Sequence, residues 1–193
     1  NHIIDFFDEG EKIVEMDDDI EDIKETKLGK TAESVDNLYE VFEEAFNIIG
    51  SNGLWGLNAN YNTFFCSGVD VHEVQLCSII NSCLGYINIK SIKLTVKEKE
   101  DYERVIQFYL KGHKILKRGG YGIKTRYWYN EGGIQEHYDF KKRKQIQEES
   151  TEKILKDYPF ACYKKTRKNG IMDLRFYKDP LKLNKDKENK NII

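Results

Sequence analysis

The side chains best suited by type to do chemistry are three adjacent acids, Asp17-Asp18-Asp19, which follow Lys12-Ile13-Val14-Glu15-Met16 without a break. The bare acid-x-acid pattern says little. With 33 Asp+Glu in 193 residues, about five or six such matches arise from composition alone. Context gives these three their weight. Carboxylates crowded at the end of a strand repel one another unless something cationic sits among them. The carboxyl ends of strands are also where open α/β sheets bind ligands. Hard oxygen donors of this kind suit Mg²⁺ or Mn²⁺ bridging to a diphosphate. Period-two alternation predicts Asp17 and Asp19 on one face and Asp18 on the other. A solvated acidic turn capping the next segment is the competing reading of the same residues.

A second acidic pair is Glu100-Asp101. If Tyr102, Val105, Ile106 and Tyr109 mark the buried stripe of a helix, the 100° step places Asp101 at the stripe's edge and Glu100 nearly opposite. Asp101 is then the better general base, because partial burial raises its pKa; both acids also simply suit the first turn of a helix. Between Gly119-Gly120 and Gly132-Gly133 lie Lys124, Arg126, Tyr127, Trp128 and Tyr129. Cations and aromatic faces between glycine hinges could close over a sugar nucleotide, or form a patch for single-stranded nucleic acid, or be a plain hairpin. His72, His113 and His137 show no paired spacing and read as surface histidines. There is no phosphate-binding glycine loop and no dinucleotide fingerprint.

The elements that must position these groups follow from periodicity. Residues 2–7 read as a helix end closed by Gly10, 12–16 as a strand, and 20–34 as a polar loop. Leu38, Val41, Phe42, Ala45, Phe46 and Ile49 follow helical spacing up to Gly50. Residues 53–66 read as a loop entering an extended segment, and 74–96 as β-prone runs broken near Gly85. Thr95 and Glu98 match a capping box that starts a helix near residue 96, ending at Gly112. A strand over 113–118, a loop over 119–133, a charged helix over about 139–157 before Pro159, and strands at 160–164 and 171–177 complete the order. Strands alternating with helices predict an α/β protein, with one domain over 1–178 and a charged, disordered tail over 179–193.

Composition narrows the classes further. Hydrophobic residues are 39%, charged 33% and aromatic 12%, which is too polar for a membrane span and too aromatic for a wholly disordered chain. The net charge of -2 conceals an acidic first fifty residues (16 Asp+Glu, 4 Lys+Arg) and a basic remainder (17 and 27). That division could serve a cation and an anion in one cleft, or merely reflect solvated surfaces. Cys66, Cys77, Cys83 and Cys162 form no Cys-x-x-Cys pair, so they read as free thiols of a reducing, cytosolic compartment. The chain opens on Asn1 rather than Met, and the expectation is an internal piece of a longer protein.

In order and spacing, several segments resemble one family. Asn1-His2-Ile3-Ile4-Asp5-Phe6-Phe7, followed by Gly10 to Asp19, looks like the helix, strand and DxD of a GT-A glycosyltransferase. The chain is similar in particular to the TET-associated glycosyltransferase domain and the capsid-glycan glycosyltransferases of large algal viruses. The matches continue through Leu54-Trp55-Gly56-Leu57-Asn58 with Asn62, Lys99 to Arg104, Lys124-Thr125-Arg126-Tyr127 with Gly132-Gly133, and Tyr158-Pro159. The resemblance implies a Rossmann-like three-layer α/β/α sandwich with a mixed sheet, its first βαβ units lying upstream of Asn1, so that this chain is an incomplete enzyme. It implies Mn²⁺ or Mg²⁺, a nucleotide-diphosphate sugar donor (a UDP-sugar first), a glycan or a protein- or nucleic-acid-linked hydroxyl as acceptor, no membrane, and a cytoplasmic location, the host's if viral. Asp17 would approach the donor ribose or the metal, and Asp19 would ligate the metal. Asp101 would deprotonate the acceptor in an inverting reaction, and Trp55, Asn58, Lys124 and Arg126 would line the donor. The residues alone also leave open a nucleic-acid-binding module over 111–144 and a nucleotidyltransferase-like metal enzyme.

Overall fold

The computed structural model describes residues 2–27, 30–64, 66, 68, 70–73, 75–125, 140–166, 172–177 and 180. Elements follow in the order α1 (His2–Phe6), β1 (Lys12–Met16), β2 (Ile20–Thr26), β3 (Ala32–Ser34), α2 (Leu38–Ile49), β4 (Gly53–Asn58), β5 (Val71–Glu73), β6 (Cys83–Ile87), α3 (Glu100–Leu110), β7 (Lys114–Thr125), α4 (Phe140–Asp157), β8 (Cys162–Thr166) and β9 (Met172–Phe176). The α/β class expected from the sequence is what folds. Six strands of a mixed sheet run β1-β6-β4-β7-β2-β3, with β5 on β7 beside β2, and β8-β9 form a separate hairpin. β4 is parallel to β7, while β6 is antiparallel to both β1 and β4. β1, β4 and β7 therefore all point the same way.

Alternation splits the core between the two faces of the sheet. Ile13, Leu54, Leu84, Tyr86 and Ile115 pack against Val105, Phe108 and Tyr109 of α3 and Ile4 of α1. Trp55, Leu57, Cys83, Leu116 and Ile123 pack on the other face against Ala45, Phe46 and Ile49 of α2. The outer side of α3 is covered in turn by Ile154 of α4 and by Cys162 and Leu174 of the hairpin. α2 starts where the Asn37 side chain accepts from the Glu40 N–H and stops at Gly50, whose φ of 72° suits a residue without a Cβ.

Several expectations are corrected. Residues 20–34 are no loop but the strands β2 and β3, whose exposed polar side chains satisfy one another. Lys24 reaches Asp22 at 2.7 Å, and the Ser34 hydroxyl donates to Asp22 at 2.8 Å. Those contacts hold the Asp22 carboxyl below the usual carboxylate range, the Lys24 hydrogen bond first among them. Residues 53–58 are no loop either: β4 is central and covered on both faces, so it reads as an unbroken apolar run. Gly85 does not break the chain but sits mid-β6, where a Cβ would lie 2.5 Å from Trp55 Nε1. The capping box does not form. The Thr95 N–H and hydroxyl donate to Glu103, at 2.6 and 2.7 Å, rather than pairing with Glu98, and α3 begins after a left-handed Lys99.

Candidate active site

β1 and β2 are neighbours in sequence but are separated in the sheet by β6, β4 and β7. Four strand spacings of a flat sheet are about 19 Å, whereas the four residues from Met16 to Ile20 reach at most about 14 Å. The sheet must therefore curl, and the Asp17-Asp18-Asp19 connection is drawn as a strap across the edge where β4 and β7 end and β6 begins. It is pinned there by the Asp17 N–H, which donates to the Ser82 carbonyl at 2.9 Å.

The second acidic pair reaches the same turn from the other side. Asn81 Nδ2 donates to Glu100 Oε1 at 2.6 Å, so Asn81-Ser82 touches both acidic groups. α3 leads through Gly112 straight into β7, and its first turn consequently stands at the carboxyl edge. Asp101 falls at i, i+4 and i+7 with Val105 and Phe108, both packed on the sheet. It thus lies on the sheet-facing line of α3, closer to the sheet than the stripe reckoned from Tyr102 and Ile106 indicates. Burial, and then the like charge of Glu100, push its pKa up to about 6. The two neighbours thereby divide: Glu100 is held by an amide, and Asp101 is a strengthened base.

Asp17 and Asp18 are exposed and Asp19 half-buried. Strand alternation stops at Met16, because Asp18 and Asp19 belong to the turn that crosses the edge, so the expected separation of Asp18 from its neighbours does not hold by that reasoning. Among the described residues no three His, Cys, Asp or Glu gather closely enough to hold a metal ion. The donor set on offer is at most two carboxylates. It fits a hard cation that takes one or two carboxylates and fills its remaining positions with phosphate oxygens and water.

The remaining sequence candidates fall elsewhere. Trp55 is a correction: its ring is 0% exposed, stacked 5.2 Å from Phe42 and edge-on to Phe46, and has no surface to offer a ligand. Asn58 does stand at the edge, but its amide is engaged in the fold. Nδ2 donates to the carbonyls of Arg118, Gly119 and Tyr121 at 3.1, 3.2 and 2.8 Å, stapling the bulge where the β4–β7 register jumps. Lys124 is in β7 and pairs with Glu21 at 3.0 Å, two residues beyond the strap. Arg126 lies outside the described residues, as do Trp128, Tyr129 and His137. A lid over 119–133 is corrected in its first half, because residues 119–125 continue β7 and 121–125 pair with β2. The basic and aromatic side chains Arg118 and Tyr121 are likewise engaged inside the fold: Arg118 is buried, lies 4.7 Å over the Tyr121 ring, and pairs with Asp70 and Glu44. Cys66, Cys83 and Cys162 are buried and Cys77 half-buried, all free. Among the described residues no helix is long and apolar enough to cross a membrane.

Sequence reasoning missed Asn81 and Ser82, although an Asn-Ser pair before an apolar run is a turn signal. It also missed the buried pair beneath Asp17. Arg104 Nη1 and Nη2 donate to Glu15 at 2.8 and 3.2 Å, and the Tyr86 hydroxyl donates to Glu15 at 2.6 Å. That contact welds α3 to β1 just below the two acidic groups. No family model, no curated protein and no solved structure matches the chain.

Proposed function

We propose that this chain is the metal- and acceptor-handling part of a GT-A glycosyltransferase, moving a sugar from a nucleotide-diphosphate sugar to an acceptor hydroxyl with inversion. One observation carries the reading: the Asp17–Asp19 strap and the start of α3 meet at the Asn81-Ser82 turn on the carboxyl edge of a mixed sheet covered on both faces. Inverting transfer needs a cation-binding group on the leaving side and a base on the other, and little else.

Asp17 and Asp19 would hold Mn²⁺ or Mg²⁺ against the donor diphosphate. Such an ion neutralises the charge that builds on the departing nucleoside diphosphate. Asp101 accepts the proton of the acceptor hydroxyl as that oxygen bonds to the anomeric carbon and the carbon–diphosphate bond breaks. With a pKa of about 6, Asp101 is ionised at neutral pH, yet is more basic than an exposed aspartate. Glu100, held by Asn81, supports this by its charge. Lys124 would lie on the donor side of the strap, and a UDP-sugar is the donor to try first.

The test is a pair of substitutions in the intact protein. Asp101→Asn should lower transfer by roughly 10²–10⁴-fold, the usual worth of a general base, while Mn²⁺-dependent donor binding survives. Asp19→Ala should abolish that binding in calorimetry. Equal effects of Glu100→Gln and Asp101→Asn on transfer, or unchanged binding in Asp19→Ala, would overturn the reading.

A further inference from the structure

A cavity of about 140 Å³ opens at the carboxyl end of β4, lined among others by Asn58, Asn60, Cys66, Ser78 and Lys117. It is many times the ~15 Å³ that one water needs, and is sized for a group of a few heavy atoms rather than a nucleotide. Its roof is built in: Gly122 of β7 lets the 60–61 main chain lie flat across the strand, where a Cβ would meet Tyr61 Cα at 2.6 Å.

Lys117 reaches this cavity from β7. Lys12, Lys24 and Lys124 each pair with a carboxylate at 3.0 Å or less. Lys117 is half-buried, and no described carboxylate pairs with it. Cys77, whose thiol feels the Lys117 charge, cannot supply the missing anion, because burial pushes it up to about 11 and leaves it neutral. A half-buried lysine on the wall of a polar cavity offers its charge to an anion bound there.

The position of the cavity says which anion. Continuing the register of β4 and β6 sets Asn58 opposite Ser82, the residue that holds Asp17. Along the sheet, two strand spacings separate Asp17, the β1 end of the strap, from Asn58 at the cavity, at most about 10 Å. That leaves room for one sugar ring between Asp17 and an anionic substituent in the cavity.

We propose that this cavity binds the phosphate or carboxylate substituent of a sugar handled at the carboxyl edge, with Lys117 as counter-charge and Asn60 and Ser78 as neutral hydrogen-bonding partners. The sugar half of this statement rests on the transferase reading; the anion half stands on the cavity. The intact protein, without metal or nucleotide, is titrated in a calorimeter with glucose 6-phosphate, glucuronate and glucose. At least one anionic sugar should bind tenfold or more tighter than glucose, with the preference lost in Lys117→Gln and kept in Lys117→Arg. UDP-glucuronate against UDP-glucose with Mn²⁺ tells a donor carboxylate from an acceptor's anionic group: a Lys117-dependent preference there assigns the anion to the donor. No preference in either series, or one that Lys117→Gln leaves intact, overturns the proposal. A Lys117-dependent preference without any Mn²⁺-dependent nucleotide-sugar binding keeps the anion site and removes the transferase.

Discussion

Removing the Asp101 charge should make the protein more stable while disabling it. In the folded protein burial and Glu100 push the Asp101 carboxyl from 3.8 up to about 6. In the unfolded chain it returns to the ordinary value near 3.9. Below about pH 4 the group is protonated in both states and contributes nothing. Between about pH 4 and 6 the folded state holds the proton more tightly, so stability falls as pH rises. Above pH 6 the cost is complete: about two pKa units at ~1.4 kcal/mol each, or on the order of 3 kcal/mol. Asp101→Asn keeps the shape and removes the charge. The stability of the variant relative to wild type should therefore rise from near zero at pH 4 to about 2–3 kcal/mol at pH 7.5. Urea unfolding at several pH values, with an unchanged denaturant slope, measures this directly. A variant that is less stable at neutral pH, or whose difference does not vary with pH, would refute the burial argument and with it the strengthened base. Glu100→Gln supplies the cross-check, since loss of the like charge should move the pH midpoint downward.

Two structural contacts have equally direct tests. Arg104→Ala leaves the half-buried Glu15 beneath the strap with Tyr86 as its remaining partner, and should cost about 1–3 kcal/mol in urea unfolding; the double variant Glu15→Gln, Arg104→Met should recover much of that. Asn58→Ala leaves the carbonyls of Arg118, Gly119 and Tyr121 without the shared amide. It should cost about 1–3 kcal/mol in a thermal or urea melt, and no loss would mean that the bulge does not need the staple.

What could be read in the sequence was what repeats locally. α2 and α3 show a 3.6-residue apolar stripe, β1 a short apolar run, and Gly10, Gly50 and Gly112 the positive φ values at which helices and turns stop. The segments misread are those whose conformation is decided by distant partners. Ile20–Thr26 carries four charges in seven residues and becomes a strand only because residues 121–125 pair with it. Gly53–Asn58 contains two glycines, which locally argue for a loop, yet it lies between one antiparallel and one parallel strand, and Ile49 and Ile79 leave no room for side chains at the glycines. Trp55 is placed at the donor only by the family resemblance; its burial follows from β4 being central, which no local window reveals.

The candidate site divides along the same line. Its residues were legible only through their context, Asp17 and Asp19 at the end of a strand and Asp101 at the start of a helix. Their proximity was not, because it depends on the curl of the sheet. A three-residue connection between strands four places apart has to cross the carboxyl edge, and the crossing brings the strap to Asn81-Ser82, where α3 already rests. Neither acidic group could reach the other through local structure, as 81 residues separate Asp19 from Glu100 along the chain. The long-range register therefore carries the functional argument. A substitution that relaxed the curl without touching an acid, such as one in the β7 bulge that Asn58 holds, should separate strap from helix and lower metal-dependent and base-dependent behaviour together. Substitution of Asp101 should instead lower transfer and leave metal-dependent donor binding intact.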